Sequence, residues 1–377
     1  MHNESPAELI PVTLLTGFLG SGKTTVLNHL VSQPEMADAL VIINEFGEMA
    51  LDHLLVAHST ENLVMEMSSG CLCCTIRGDL VKTLRDITWR FARNGERQFR
   101  RVLIETTGLA DPAPIIHTLM TDPQIAPKYR LDGIVAVVDM ATGTHTLNQH
   151  PEAIKQAVMA DVLLFTKPDL ASDAQKIELM QRLAAINPAA PRWEVRDGKI
   201  DPAQVLNLGL YSPENKTLDV ERWLKEEAYI AQAPHVHHHA EHEHQHYPDH
   251  THTSDNQHHH DHHDINRHDD RIRCFCFSVD APIPDEILNA WLEVLMSFLG
   301  SQILRVKGIL NIEGHTQPVA IHGVQHILHP PVALPAWPTE DRRSRLVFIT
   351  QDISRDAIEA SFQAFGKVLP QAGKAPT

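Results

Sequence analysis

The sequence has little of what marks a secreted, membrane-spanning or nucleic-acid-binding chain. Its opening, Met1 to Leu15, has neither the basic start nor the long apolar stretch of a signal peptide. No uninterrupted apolar run approaches the roughly 18 residues of a membrane span. The expected location is therefore the cytoplasm, with no membrane partner. Basic side chains are in deficit: 32 Lys and Arg face 48 Asp and Glu, a formal charge of −16. That balance argues against binding nucleic acid or an anionic surface. Cysteine is scarce, with five in 377 residues, and clustered as Cys71, Cys73 and Cys74, then Cys274 and Cys276. In an unsecreted chain such clusters point to metal or thiol chemistry rather than a disulfide framework. There is no internal repeat.

What is present is a two-part chain. A length of 377 residues predicts two domains, and a hydrophobic share of 43% can build ordinary cores. After a tail over 1–8, residues 9–211 alternate apolar runs with helical spacing. Runs at Pro11–Thr16, Ala39–Asn44, Val102–Glu105, Gly133–Asp139 and Asp161–Thr166 are apolar on both faces, as parallel strands covered on two sides must be. Gly22–Leu30, and the spacing of Leu80, Leu84, Ile87 and Phe91, read as helices. This is the rhythm of a doubly wound, mostly parallel α/β sheet. The stretch 212–270 is a linker, with a helix expected at Leu218–Ala231. Fifteen of the chain's 26 histidines fall between His235 and His268, among Asp, Glu, Asn and Gln. Such a segment has too little apolar surface to fold, so it is expected to be disordered. Residues 271–369 read as a smaller α+β domain, followed by a tail over 370–377.

Three motifs carry chemistry. Gly17-Phe18-Leu19-Gly20-Ser21-Gly22-Lys23-Thr24 matches the Walker A pattern in full, between a strand and a helix, with Thr25 following. Its glycines let backbone N–H groups curl around a phosphate at a helix N-terminus. Lys23 would reach the β- and γ-phosphates, and Thr24 would ligate Mg²⁺. Glu105-Thr-Thr-Gly108 follows the next apolar run but one, where a nucleotide switch belongs. Glu105 would hold Mg²⁺ through water and the Gly108 amide would meet the γ-phosphate. Thr166-Lys167-Pro168-Asp169 ends a later strand. There Asp169 can accept from guanine N1–H and N2–H, donors that adenine lacks, and the Lys167 stem can pack along the ring.

Ser69-Gly-Cys71-Leu-Cys73-Cys74 precedes a helix. Three thiols within four residues can converge on one soft ion, and a helix N-terminus favours thiolate. A fourth tetrahedral position is left for a carboxylate, an imidazole or water, with Glu45 and Glu48 as candidates. Adjacent Cys73 and Cys74 cannot share one packed face, and a redox pair is the other chemical option. Cys274 and Cys276 alternate along a strand, so packing is expected of them.

Together these residues resemble the CobW-type family of metal-handling P-loop GTPases. The resemblance rests on Thr16–Thr25, the N-E-F-G-E of Asn44–Glu48, Ser69–Cys74, Glu105–Pro112, Lys167–Asp169 and Val306–Leu310, in matching order along most of the chain. It implies a Mg²⁺-dependent GTPase with slow turnover that delivers zinc, or alternatively cobalt, from a C-x-C-C motif to a client protein. One departure stands out: Thr166 occupies the place of the asparagine in the usual N-K-x-D guanine motif. Two other functions fit the same motifs. A metal buffer would store several weak ions on His235–His268, and an ATP-dependent activator would lack guanine preference. Assembly as a homo-oligomer is compatible with the sequence.

Overall fold

The computed structural model describes residues 9–45, 63–68, 74–94, 96–208 and 271–368; side chains at 44–45, 63–68, 74–79 and 367–368 lie outside that description. The expected ends at 211, 212, 270 and 369 fall beyond it, as do the helix at Leu218–Ala231 and the histidine segment.

The first half forms a seven-stranded parallel sheet in the order β3-β2-β6-β1-β7-β8-β9. Its strands are β1 (Ile10–Gly17), β2 (Ala39–Glu45), β3 (Leu63–Ser68), β6 (Arg101–Glu105), β7 (Tyr129–Asp139), β8 (Val162–Thr166) and β9 (Arg192–Val195). A small hairpin, β4 (Ala92–Arg93) and β5 (Glu96–Arg97), lies apart from it. The covering helices are α1 (Lys23–Val31), α2 (Cys74–Arg90), α3 (Ala113–Thr121), α4 (Gly143–Gln149), α5 (Pro151–Met159) and α6 (Asp173–Ile186). Alternation along the strands builds two cores. Val12, Leu14, Leu40 and Ile42 meet Leu84 and Ile116 on one face. Leu15, Val41 and Ile43 meet Val26, Leu27 and Leu30 on the other. The five strands expected from apolar runs are all present. The two not expected, β3 and β9, are the sheet's edges. LVMEMS and RWEV are short and mix charge with apolar residues, which suits an edge and weakens the apolar signal.

The second half is an antiparallel sheet in the order β10-β15-β11-β12-β13, with β14 beside β12. It comprises β10 (Ile272–Val279), β11 (Ile303–Leu310), β12 (Val319–Val324), β13 (Ile327–Leu328), β14 (Val332–Ala333) and β15 (Ser344–Gln351). Helices α7 (Asp285–Leu299) and α8 (Arg355–Val368) cover one face, where Trp291, Leu292 and Ile358 pack on Phe275, Phe277 and Phe348. The other face turns toward the first half: Leu304 and Ile349 share a core with Ala157, Val158, Leu179 and Leu183. Cys276 is buried there beside Val347, with Cys274 and Ala189 against them. Neither cysteine is disulfide-bonded, and burial pushes the Cys274 pKa up, so these cysteines pack.

At the centre of this seam Asp161 accepts charged bonds from Arg305 and, at 2.8 Å, from Lys307. Burial alone would raise the Asp161 pKa, but the two cations outweigh it and hold the carboxyl at about 2. Beside them His322 and His329 stack with ring centroids 4.5 Å apart.

Candidate nucleotide and metal site

Parallel strands deliver their C-terminal ends to one edge of the sheet, and the site lies there. Gly17 ends β1 with φ 142°, and a Cβ on it would stand 2.3 Å from the Val137 carbonyl oxygen. Phe18 to Ser21 form the loop, Gly22 caps α1, and Lys23, Thr24 and Thr25 make its first turn. Phe18 stacks on His150 at 4.3 Å. Ser21 is buried, whereas Leu19 is exposed. The Lys23 ammonium folds back on the loop and donates to the Phe18 carbonyl at 3.1 Å.

Glu105 ends β6, next to β1, and its carboxylate accepts from the Thr24 hydroxyl at 3.0 Å. Two hard oxygen donors are thus brought together although 81 residues separate them. The next residues are tied to β1 and to the loop that follows it. Thr106 donates its N–H to Leu15 and its hydroxyl to Thr16, both at 2.9 Å. Gly108 lies so close to the loop that a Cβ on it would fall 2.6 Å from the Leu19 nitrogen.

On the opposite side β8 delivers Thr166, Lys167 and Asp169. The Thr166 hydroxyl donates to the Ser21 carbonyl at 2.6 Å, with Val138 O at 3.3 Å. It faces the phosphate loop and pins it to the sheet. Lys167 adopts φ 54° and donates at 2.7 Å both to Gly20 O and to Asp139 Oδ2. Asp169 is exposed in the following turn. The turn after β9 also abuts the site, since a Cβ on Gly198 would stand 2.5 Å from Thr25 O.

The metal candidates fall largely outside the described residues: Cys71, Cys73 and Glu48 entirely, and the side chains of Cys74 and Glu45. The backbone places the ends of their segments. Glu45 ends β2 and pairs with Ser68 at the end of β3, and Cys74 opens α2. On its other side β2 pairs with β6, Ile43 opposite Glu105. The strand leading to the cysteines therefore lies two places from the strand that ends in Glu105.

Sequence reasoning missed several residues. Asp139 accepts from the N–H groups of Ala141 and Thr142 besides Lys167; its position at the end of an apolar run was the available signal. Gln156 donates to Gly108 O at 3.2 Å and Ala110 O at 3.0 Å, and Lys155 reaches Asp111 at 3.0 Å. A lone amide among Ala153, Ile154, Ala157 and Val158 reads as ordinary helix until the fold shows what it faces.

Two family models match the chain: the CobW/HypB/UreG nucleotide-binding domain over residues 11–194, and the cobalamin synthesis protein cobW C-terminal domain over 272–366. The chain is 32% identical to the zinc chaperone YjiA of Escherichia coli, over 95% of this chain and 99% of that one. It is 29% identical to the zinc chaperone CobW of Pseudomonas aeruginosa, over 93% and 89%. The crystal structure of Zn(II)-bound YjiA GTPase from E. coli superposes with a TM-score of 0.61 at 28% identity, covering 95% of this chain and 99% of that one. With a Walker A loop at the edge of a parallel sheet and an antiparallel sheet docked behind it, this chain belongs to the CobW family.

Proposed function

We propose that the chain is a GTP-hydrolysing metallochaperone of the cytoplasm that takes zinc on Cys71, Cys73 and Cys74 and passes it to a metal-requiring client. The observation that carries the reading is the meeting of Thr24 with Glu105, at 3.0 Å, beside the Walker A loop. A hydroxyl from the first turn of α1 and a carboxylate from the end of β6 are the hard donors Mg²⁺ takes, and the ion when bound neutralises charge on the β- and γ-phosphates. Backbone N–H groups of Gly17 to Thr25 hold the phosphates, and Lys23 leaves the Phe18 carbonyl to meet them. The Gly108 amide meets the γ-phosphate. Lys167 and Asp169 serve the base, with Asp169 accepting from guanine N1–H and N2–H.

Zinc is favoured over cobalt because three thiolates plus an oxygen or imidazole suit it, and because the relatives over most of the chain are zinc chaperones. Glu45 is a candidate fourth ligand, its backbone one strand from the cysteine segment. The pairing of β2 with both β3 and β6 supports a coupling between this ligand set and Glu105, by which γ-phosphate loss alters metal affinity.

The test is Mg²⁺-dependent hydrolysis by the purified chain with GTP and ATP in parallel. GTP should be turned over well ahead of ATP and slowly, since the switch motif Glu105–Pro112 contains no arginine to meet the developing charge. Lys23→Ala should abolish turnover. Equal or faster ATP hydrolysis would remove the guanine assignment.

A further inference from the structure

Helix α5 is gripped near its middle by the switch segment and at its C-terminal end by the C-terminal sheet. Near its middle Gln156, 1% exposed, donates from a single amide nitrogen to Gly108 O and Ala110 O, at 3.2 and 3.0 Å. An amide nitrogen has two hydrogens, so both are committed, one to each carbonyl flanking Leu109. Lys155 adds a bond to Asp111. At the C-terminal end the carbonyls of Met159 and Ala160 accept from Arg305 Nη1 of β11 at 2.5 and 2.6 Å. These are carbonyls that a helix end leaves without intrahelical partners. Arg305 and Lys307 also hold Asp161, whose other oxygen accepts from Ile134 N–H at 3.0 Å.

Between the two clamps lie only Ala157 and Val158, both buried in the core that α5 shares with the C-terminal sheet. A helical span that short moves as a rod. The segment around Gly108 therefore has two ways to respond to a γ-phosphate: break two buried hydrogen bonds to Gln156, or take α5 with it. Moving α5 shifts the carbonyls that Arg305 holds.

We infer that Gln156 is a positioning residue that couples the switch segment Glu105–Asp111, through α5 and Arg305, to the C-terminal sheet. The nucleotide state is thereby transmitted to the second domain, whose strand β11 runs Ile303–Leu310. The inference rests on the reading that Gly108 meets the γ-phosphate, and the two are separable by experiment.

Hydrogen–deuterium exchange on the full chain, with GDP and with a non-hydrolysable GTP analogue, should show nucleotide-dependent protection at residues 105–111, at 151–160 and at 303–310. Gln156→Met keeps the side chain's length and removes the donors. It should bind the analogue within about threefold of the parent and keep the difference at 105–111, yet lose it at 303–310. Its kcat should fall on the order of 10- to 100-fold with KM unchanged, because the switch is misplaced rather than absent. Arg305→Lys, which keeps a cation for Asp161 but not the double bond to α5, should retain the 105–111 difference and lose that at 303–310. No nucleotide difference at 105–111 in the parent would strike the γ-phosphate reading. A difference there that never reaches 151–160 and 303–310 would overturn the coupling alone, and that arm stands even if Gln156→Met does not fold. Parental kcat together with a parental response at 303–310 in Gln156→Met would overturn it as well.

Discussion

At Gly108 a missing side chain sets how closely the switch approaches the phosphate loop. A Cβ there would meet the backbone of Leu19 at 2.6 Å, and backbone cannot swing aside. Gly108→Ala should therefore push residues 107–109 off the loop, lowering the single-turnover rate about 100-fold or more while GDP still binds. A parental rate in that variant would take the close approach out of the mechanism. Thr166 and Asp169 invite a paired test, because the fold gives them different neighbours. Thr166→Val leaves the Ser21 carbonyl without its buried donor, at a cost of about 1–3 kcal/mol. The loop serves every nucleotide, so GTP and ATP affinities should drop together. Asp169→Asn should instead narrow the ratio between them. Competition titrations against a fluorescent guanine nucleotide read both, and a Thr166→Val effect confined to GTP would return Thr166 to base reading. The motif itself did not show which way this hydroxyl points. A threonine in the place of asparagine reads as a weakened base contact until β8 is set beside the loop.

Among the elements, the seam between the sheets carries a pH dependence of calculable sign. Burial lowers the His322 and His329 pKa values, with Arg305 and Lys307 adding to it; Asp161 opposes them at His329, which settles at about 4 against an ordinary 6.5. The folded chain then binds fewer protons than the unfolded one below pH 6.5, so stability falls as pH drops from 6.5 toward 4. Asp161 acts lower: its pKa is depressed from 3.8 to about 2, so its contribution is complete above 3.8 and lost on the way to 2. His329→Phe keeps a ring in the stack and removes one titrating site. Its unfolding free energy, from urea titrations between pH 7 and 4, should fall less steeply than the parent's, by about 1.4 kcal/mol per pH unit. Identical slopes would place the protons elsewhere. Neither histidine was legible as a buried group, since a chain with 26 of them conceals one in β12 and one just past β13. The same limit applied to β3 and β9: an edge strand needs only one neighbour and little apolar surface, so its sequence carries less of the pattern.

For the whole molecule the test is linkage. If the cysteine ligand set lies two strands from the nucleotide switch, metal and nucleotide affinities must change each other by the same factor. Zinc titrations with GTP analogue, GDP and no nucleotide should give one tight ion per chain, with a dissociation constant that differs between nucleotide states. Replacing Cys71, Cys73 and Cys74 together by serine should abolish that ion and leave Walker A binding intact; unchanged tight binding would move the site elsewhere. The histidine segment, which lies outside the described residues, is expected to be an accessory reservoir. Ordering chain around each ion costs on the order of 1 kcal/mol per residue, so its sites should be weak and fade as pH falls through about 6.5. Deleting Val236–Asp264 should reduce the count of weakly bound ions and spare GTP turnover. Loss of turnover in a folded deletion would overturn that view.

The sequence by itself determined the strand–loop–helix form of the Walker A segment, the doubly wound first half and which groups are candidates for nucleotide and metal. Each is local: a glycine pattern, a run of apolar residues or a cluster of thiols acts within a few residues of itself. Only the tertiary structure decided that Thr24 meets Glu105 across 81 residues, that Thr166 turns to the loop, and that Arg305 holds the end of α5 from 145 residues away. Those pairings follow from strand order and sheet docking, which collect the small free energies of many apolar contacts into one arrangement. A polar side chain such as Gln156 or Arg305 carries no mark in sequence of the carbonyls it will face.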